Sequence, residues 1–138
     1  SSHGVNVEMD AVLGEVDVLD YDAVILPGGM PGTTNLSECG TLKDHIIKYN
    51  EQGKWLAAIC AAPSIFSSLG ILKDKRATSF PSFADKMECK EYGGGVVRDG
   101  NIITGKGLGV ALELGLELIS CLIDEETSGK IADQIQYN

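Results

Sequence analysis

The chain has 138 residues, a length typical of one domain, and 43% of them are hydrophobic, so it can bury a core without disulfide or metal support. Lys and Arg number 11 against 20 Asp and Glu, and this net charge of −9 argues against nucleic acid or an anionic membrane as a partner. The 4 cysteines are widely spaced, which disfavours a zinc site and favours a reducing compartment such as the cytoplasm. We expect a single domain over residues 1–138.

Apolar runs and their turn residues predict the elements of the first half of the chain. Residues 5–9 alternate apolar and polar side chains, which predicts a short half-buried strand. Residues 21–26 and 54–60 are compact apolar runs of the kind found in buried parallel strands. Apolar residues at helical spacing predict a helix over residues 41–51.

The second half continues the alternation of strands and helices. The predicted helices cover residues 61–69, 108–123 and 125–136, and the predicted strands cover residues 76–80, 95–98 and 101–104. Asp99-Gly100 between the last two strands is typical of a hairpin turn. The alternation predicts an α/β fold with a mainly parallel sheet, whose ligand sites lie beyond the carboxyl ends of the strands.

One near-match to a nucleotide-binding motif can be rejected. Residues 100–107 almost fit the phosphate loop G-x-x-x-x-G-K-[ST], but Gly107 stands where a Ser or Thr would bind Mg²⁺. The intervening residues also have the apolar character of a strand, so we expect no phosphate cradle here.

Cys60 lies where a predicted strand ends and a predicted helix begins, which is the layout of a nucleophile elbow. We therefore expect a positive or otherwise sparsely populated φ at this residue. Ala58 and Ala62 are small, as the close approach of strand and helix in such a turn requires. The helix N-terminus would favour the thiolate, and the N–H of Ala61 could hold an oxyanion. The alternative is that Cys60 is a small buried apolar residue, which is a common role of cysteine.

The loop after the first buried strand is the second candidate element. Its glycines allow the backbone to approach a ligand closely, and the N–H of Gly29 could be a second oxyanion donor. An ordinary turn is the alternative. Neither histidine is an obvious general base, because His45 is predicted to be a surface residue of a helix and His3 is near the start of the chain.

Four segments of the chain resemble the ThiJ/PfpI superfamily, and within it the Parkinsonism-associated deglycase branch. They are YDAVILPGGMPGTTNLSE, AAICAAP, SFPSFADKM and VVRDGNIITGKGLG. The resemblance implies a flavodoxin-like three-layer sandwich and a homodimer. It also implies a nucleophilic, oxidation-prone Cys60 and oxyanion donors from the backbone of Gly29 and Ala61, with no metal or cofactor.

The chain departs from the family pattern in three places. Family members open with a further strand–helix–strand segment that carries a glutamate hydrogen-bonded to the cysteine, so we expect the sandwich to be incomplete at the N-terminus. Some members have His where Ala61 stands, and this difference disfavours a peptidase or amidotransferase. Members of the deglycase branch often have His where Phe80 stands, whereas Phe-Pro resembles bacterial ThiJ-like members.

The resemblance implies a cysteine-dependent, cofactor-free enzyme that acts on a small aldehyde, a reactive dicarbonyl or a glycated substrate, as a glyoxalase or deglycase does. The alternative is a non-catalytic oxidation sensor or chaperone that uses the same Cys60. An amidase or peptidase-like hydrolase is a third interpretation, and it would need a histidine base.

Overall fold

The structure is a computed structural model that describes Ser1 and residues 3–137. Its strands are β1 (Ala23–Leu26), β2 (Trp55–Ile59), β3 (Arg76–Ala77), β4 (Glu91–Tyr92), β5 (Val96–Asp99) and β6 (Ile102–Gly105). Its α-helices are α1 (Gly32–Glu38), α2 (Gly40–Glu51), α3 (Pro63–Ser68), α4 (Ala111–Leu122) and α5 (Glu125–Gln134). Short 3₁₀ helices cover Leu13–Glu15, Val18–Asp20, Pro81–Lys86 and Leu108–Val110.

The main sheet has the strand order β1-β2-β6-β5, and β3 and β4 pair separately. β1 and β2 are parallel, with Leu26 opposite Ala58, and β2 and β6 are parallel, with Ile59 opposite Gly105. Only β5 is antiparallel to its neighbour in this sheet. The predicted α/β fold with a mainly parallel sheet is therefore confirmed, and the carboxyl ends of β1, β2 and β6 meet at one edge.

Successive residues of β2 serve two different cores, because side chains alternate between the faces of a strand. Leu56 and Ala58 join a cluster with Ile46 and Phe66 on the face covered by α2 and α3. Ala57 joins a second cluster with Ile103, Leu114 and Leu118 on the face covered by α4. The sheet is thus the middle of three layers. No helix in the described part of the chain has the length and apolarity to cross a bilayer.

The predicted hairpin is confirmed as β5 and β6. Gly100 has a φ of +61° in the turn, a conformation that glycine adopts without a steric penalty. All residues of β6 are buried, so the segment that resembles a phosphate loop is a central strand. Its backbone groups are engaged in the sheet and cannot surround a phosphate.

Three predictions of elements need correction. Residues 5–9 form no strand, because no other described strand pairs with them and an isolated strand leaves its backbone polar groups unpaired. The strand predicted over residues 76–80 is confined to β3, since the N–H of Thr78 turns to the hydroxyl of Thr104 at 3.0 Å. Helix α1 was not predicted, because Gly, Thr and Asn have low helix propensity.

Candidate active site at the ends of two parallel strands

Cys60 follows β2 directly and has a φ of +64°, a left-handed conformation that is costly for a residue with a side chain. The predicted positive φ of the elbow is therefore present, with a strain of ~1–3 kcal/mol. Two backbone hydrogen bonds hold the residue in place. Its N–H donates to the carbonyl of Gly105 at 2.8 Å, and its carbonyl accepts the N–H of Phe80 at 2.8 Å.

Gly28 brings the loop after β1 against this turn. A Cβ placed on Gly28 would lie 2.6 Å from the Cβ of Cys60 and 2.7 Å from the carbonyl oxygen of Ile59. No real Cβ tolerates such contacts, so the position requires glycine. The glycines of this loop are predicted to let its backbone approach a ligand, but at Gly28 the space is taken by the elbow itself.

The two alanines that flank the elbow are fully buried, as the close packing of strand and helix requires. Ala58 and Ala62 both have no exposed surface and belong to the core between the sheet and α3. The N–H of Ala62 donates to the carbonyl of Ile59 at 3.2 Å, which closes the turn around Cys60. A larger side chain at either alanine would have to displace the core.

The N–H groups of Gly29 and Ala61 are the two predicted oxyanion donors, and Ala61 is buried, with 2% exposure. Neither donates a hydrogen bond to any other residue that the structure describes. Thr33 fixes the loop that carries Gly29. The carbonyl of Gly29 accepts the N–H of Thr33 at 2.9 Å and the hydroxyl of Thr33 at 3.0 Å. The nitrogen of Ala61 would lie 3.2 Å from a Cβ on Gly28, so the two predicted donors flank one turn.

Two open cavities lie beside the elbow. One of about 290 Å³ is lined by Ser1, residues 28–32 and Asn35, so the loop of Gly29 forms most of its wall. The other, of about 340 Å³, is lined by Phe80, Pro81 and residues 106–110. A small molecule in either cavity would lie next to residues that touch or hydrogen-bond Cys60.

The thiol of Cys60 is half-buried and has no hydrogen bond to a carboxylate in the described part of the chain. Burial raises the pKa of the Cys89 thiol. Burial also raises the pKa of the Cys121 thiol, and this effect exceeds the lowering by the nearby Arg98. Both therefore carry less thiolate at neutral pH than an ordinary cysteine does.

No group of three or more His, Cys, Asp or Glu side chains among the described residues is arranged to bind a metal.

Sequence reasoning missed two backbone partners of the elbow, Gly105 and Phe80. Both lie far from Cys60 in sequence, and only the pairing of β2 with β6 brings Gly105 to it. The register could have been inferred by aligning the ends of the predicted strands, but no local signal marks Phe80.

His45, predicted to be a surface residue, is partly covered, and its Nδ1 is buried without a hydrogen-bond partner among the described residues.

A model of the DJ-1/PfpI family matches residues 1–121. The chain is 31% identical over 134 residues to Protein DJ-1 homolog A of Arabidopsis thaliana, which covers 94% of this chain and 34% of that protein. The chain therefore spans about a third of that relative's length. It is also 30% identical over 131 residues to the Glutathione-independent glyoxalase DJR-1.2 of Caenorhabditis elegans, covering 93% of this chain and 69% of that protein.

A solved structure also matches the fold closely. The structure of oxidized DJ-1 from Toxoplasma gondii has a TM-score of 0.93 and 35% sequence identity, and the match covers 99% of this chain and 75% of that one. The layered α/β arrangement is therefore the flavodoxin-like arrangement of that structure.

Proposed function

Because the chain belongs to the DJ-1/PfpI family, we propose that it is a cysteine-dependent, cofactor-free enzyme that acts on reactive dicarbonyls or their adducts. The observation that carries this proposal is the strained φ of +64° at Cys60, next to the unengaged N–H of Ala61. Strain of this kind is retained where a function needs it. A relative that is 30% identical carries the name of a glutathione-independent glyoxalase, which supports the same class of substrate.

In the proposed reaction, the thiolate of Cys60 attacks the aldehyde carbon of a 2-oxoaldehyde. A C–S bond forms, the carbonyl π electrons move to oxygen, and a proton completes the hemithioacetal. A proton then moves from the former aldehyde carbon to the neighbouring ketone carbon, and the hydroxyl proton moves to the former ketone oxygen. These two transfers yield a thioester of a 2-hydroxy acid. Water cleaves the thioester and restores the thiol. The aldehyde is oxidised and the ketone reduced, so no external oxidant is needed.

The N–H groups of Gly29 and Ala61 are proposed to hold the oxygen as its negative charge develops. Such donors act most strongly when they are fixed before the reaction begins. The hydrogen bonds of Thr33 fix the loop of Gly29, and those of Gly105 and Phe80 fix the turn before Ala61. The proton transfers need an acid–base group in addition to Cys60.

The test is the turnover of methylglyoxal to lactate by the full-length protein, its Cys60→Ser variant and its Cys89→Ser variant. Cys89 is a matched control, because it is also half-buried but packs against the larger hydrophobic core cluster rather than forming the elbow. We expect Cys60→Ser to lose at least about 100-fold in rate, as removal of a nucleophile does, and Cys89→Ser to keep its activity. Equal rates for the three proteins would refute the proposal.

A redox role of the same cysteine is the second candidate, and one comparison favours it. The similar structure from Toxoplasma gondii is of an oxidized protein. A peroxide would convert the Cys60 thiol to a sulfenic acid, and a second peroxide would give a sulfinate, with one water released at each step. The same two N–H groups would then bind the sulfinate oxygens. Rapid peroxide oxidation of Cys60 without any turnover of methylglyoxal would favour this role.

We also propose that the protein forms a homodimer through the segment around residues 5–9. Val5, Val7 and Met9 are all exposed, and Val7 reaches 78% exposure. Apolar side chains that are exposed together often mark a surface for another protein. Light scattering should give the mass of two chains for the wild type and a lower mass for a Val7→Glu variant. The mass of a single chain at micromolar concentration would contradict the proposal.

A further inference from the structure

The Phe80 cleft is the cavity of about 340 Å³ that is lined by Phe80, Pro81 and residues 106–110. Backbone hydrogen bonds connect two segments of its lining to Cys60. One of its walls begins at Phe80, whose N–H donates to the carbonyl of Cys60. The other begins at Lys106, directly after Gly105, whose carbonyl accepts the N–H of Cys60. The cleft and the elbow are therefore held together by hydrogen bonds, and the cleft keeps its place relative to the thiol.

The walls of the Phe80 cleft are apolar. Phe80, Pro81, Leu108 and Val110 contribute apolar side chains, and Lys106 is the only charged residue among the described residues of the lining. Phe80 is 46% exposed and Leu108 is 88% exposed, so large apolar surfaces at this place remain in contact with water. A ligand that covered them would remove that surface from water, which is favourable.

The backbone of Gly107 allows the ring of Phe80 to lie close to it. A Cβ on Gly107 would be 3.5 Å from Cδ2 of Phe80, so the ring rests on the chain as one side of a slot. The other cavity next to the elbow differs in character, because its wall is the glycine-rich backbone that carries the N–H of Gly29. The two cavities next to the elbow thus differ in lining, because one offers apolar side chains and the other offers glycine-rich backbone.

We infer that the Phe80 cleft takes the apolar substituent of the electrophile that reacts with Cys60, so that aryl or branched alkyl 2-oxoaldehydes are preferred over methylglyoxal. This inference rests on the proposed function of Cys60. The carbonyl oxygen faces the N–H groups of Gly29 and Ala61, and the substituent lies between Phe80 and Leu108. Filling an apolar pocket with even one more methylene group typically changes specificity by about 10-fold or more.

Alkylation of Cys60 tests the cleft without requiring turnover. The rates of N-phenylmaleimide and N-methylmaleimide at Cys60 are measured by peptide mass mapping, and each is divided by its rate with N-acetylcysteine. We expect a normalised preference of about 10-fold for the phenyl compound. Phe80→Ala and Leu108→Ala should each lower it toward 1. Leu122→Ala is the matched control, because Leu122 is also exposed but does not line the cleft, and it should keep the preference.

A ratio near 1 in the wild type, or a preference that survives in the Phe80→Ala/Leu108→Ala double variant, would overturn the inference. Absence of labelling at Cys60 would overturn the inference as well.

Measuring the turnover of two aldehydes separates a failure of the cleft inference from a failure of the proposed function. Phenylglyoxal and methylglyoxal converted with equal kcat/KM would refute the cleft preference and leave the proposed function standing. A maleimide preference without turnover of either aldehyde would support the cleft and refute the enzyme.

Discussion

Gly28 and Cys60 are in contact at the carboxyl ends of neighbouring parallel strands, and a methyl group on residue 28 would lie 2.6 Å from the Cβ of Cys60. The loop that offers the N–H of Gly29 and the turn that offers the N–H of Ala61 can therefore meet only while residue 28 lacks a side chain. The two proposed oxyanion donors depend on this one glycine.

Gly28→Ala should destabilise the protein and lower the reactivity of Cys60. The added methyl group meets backbone atoms that cannot move aside, and overpacking of this kind typically costs ~1–3 kcal/mol. Gly115→Ala is the matched control, because a Cβ at this position inside α4 meets no atom within 4 Å. That change should stabilise the helix by ~0.5–1 kcal/mol. Denaturant unfolding measures both, and an unchanged midpoint for Gly28→Ala would disprove the contact.

Cys60 should be the most reactive of the 4 thiols toward iodoacetamide or mild peroxide. Burial raises the pKa of Cys89 and of Cys121, so less thiolate is present at those two sites near neutral pH. Peptide mass mapping after brief labelling gives the rate at each cysteine. Preferential labelling of Cys39, Cys89 or Cys121 would contradict the placement of the nucleophile.

Ala62→Leu should lose both stability and Cys60 reactivity, because Ala62 is fully buried beside the elbow and a leucine would push α3 away from β2. Ala111→Leu is the control, since Ala111 is exposed at the start of α4 and the larger side chain can extend into water. Thermal unfolding that ranks Ala62→Leu with Ala111→Leu would argue against the tight elbow.

Cys60→Gly should raise the stability of the protein by relieving ~1–2 kcal/mol of left-handed backbone strain at residue 60.

Asp124 should make the stability of the protein depend on pH in the acid range. Its carboxylate accepts the N–H of Thr127 at 2.7 Å as the N-cap of α5, and this hydrogen bond lowers its pKa. Since the folded pKa lies below the unfolded value of about 4, the stabilisation is present at neutral pH and is lost as the pH falls through the folded pKa.

An Asp124→Asn variant provides the control for this effect, because asparagine also caps helices but does not titrate. The Tm of the wild type minus that of the variant should fall between pH 7 and pH 3 when both are followed by circular dichroism. A difference that stays constant over this range would show that the carboxylate contributes nothing specific to the cap.

The elements predicted from sequence were those that a local pattern of residues indicates. The apolar runs of β1 and β2 and the Asp99-Gly100 turn each carry such a pattern, and the small residues around Cys60 indicated its positive φ. The predicted burial is confirmed for β2 but was wrong for most of β1, where Leu26 is buried and Ile25 is 50% exposed. The strand predicted over residues 5–9 was wrong because alternation gives the periodicity of a strand and not a pairing partner for it.

The rest of the candidate site depended on contacts between distant parts of the chain. Residues 28 and 60 meet because β1 and β2 pair in parallel with Leu26 opposite Ala58. Phe80 reaches Cys60 from a segment that was predicted to be a strand but leaves the sheet after Ala77. These relationships follow from register and chain direction, which a single sequence does not specify.

The hydrogen bonds of Cys60 to Gly105 and Phe80 make its chemistry a property of the folded sheet. Three stretches that are far apart in sequence must be assembled before the thiol acquires its surroundings, and denaturant disperses them in one cooperative step. In the unfolded ensemble Cys60 becomes an ordinary cysteine, so the ratio of its labelling rate to that of Cys39 should fall to about 1. Competitive thiol labelling can therefore report the folded fraction in a lysate, without purification or a spectroscopic probe.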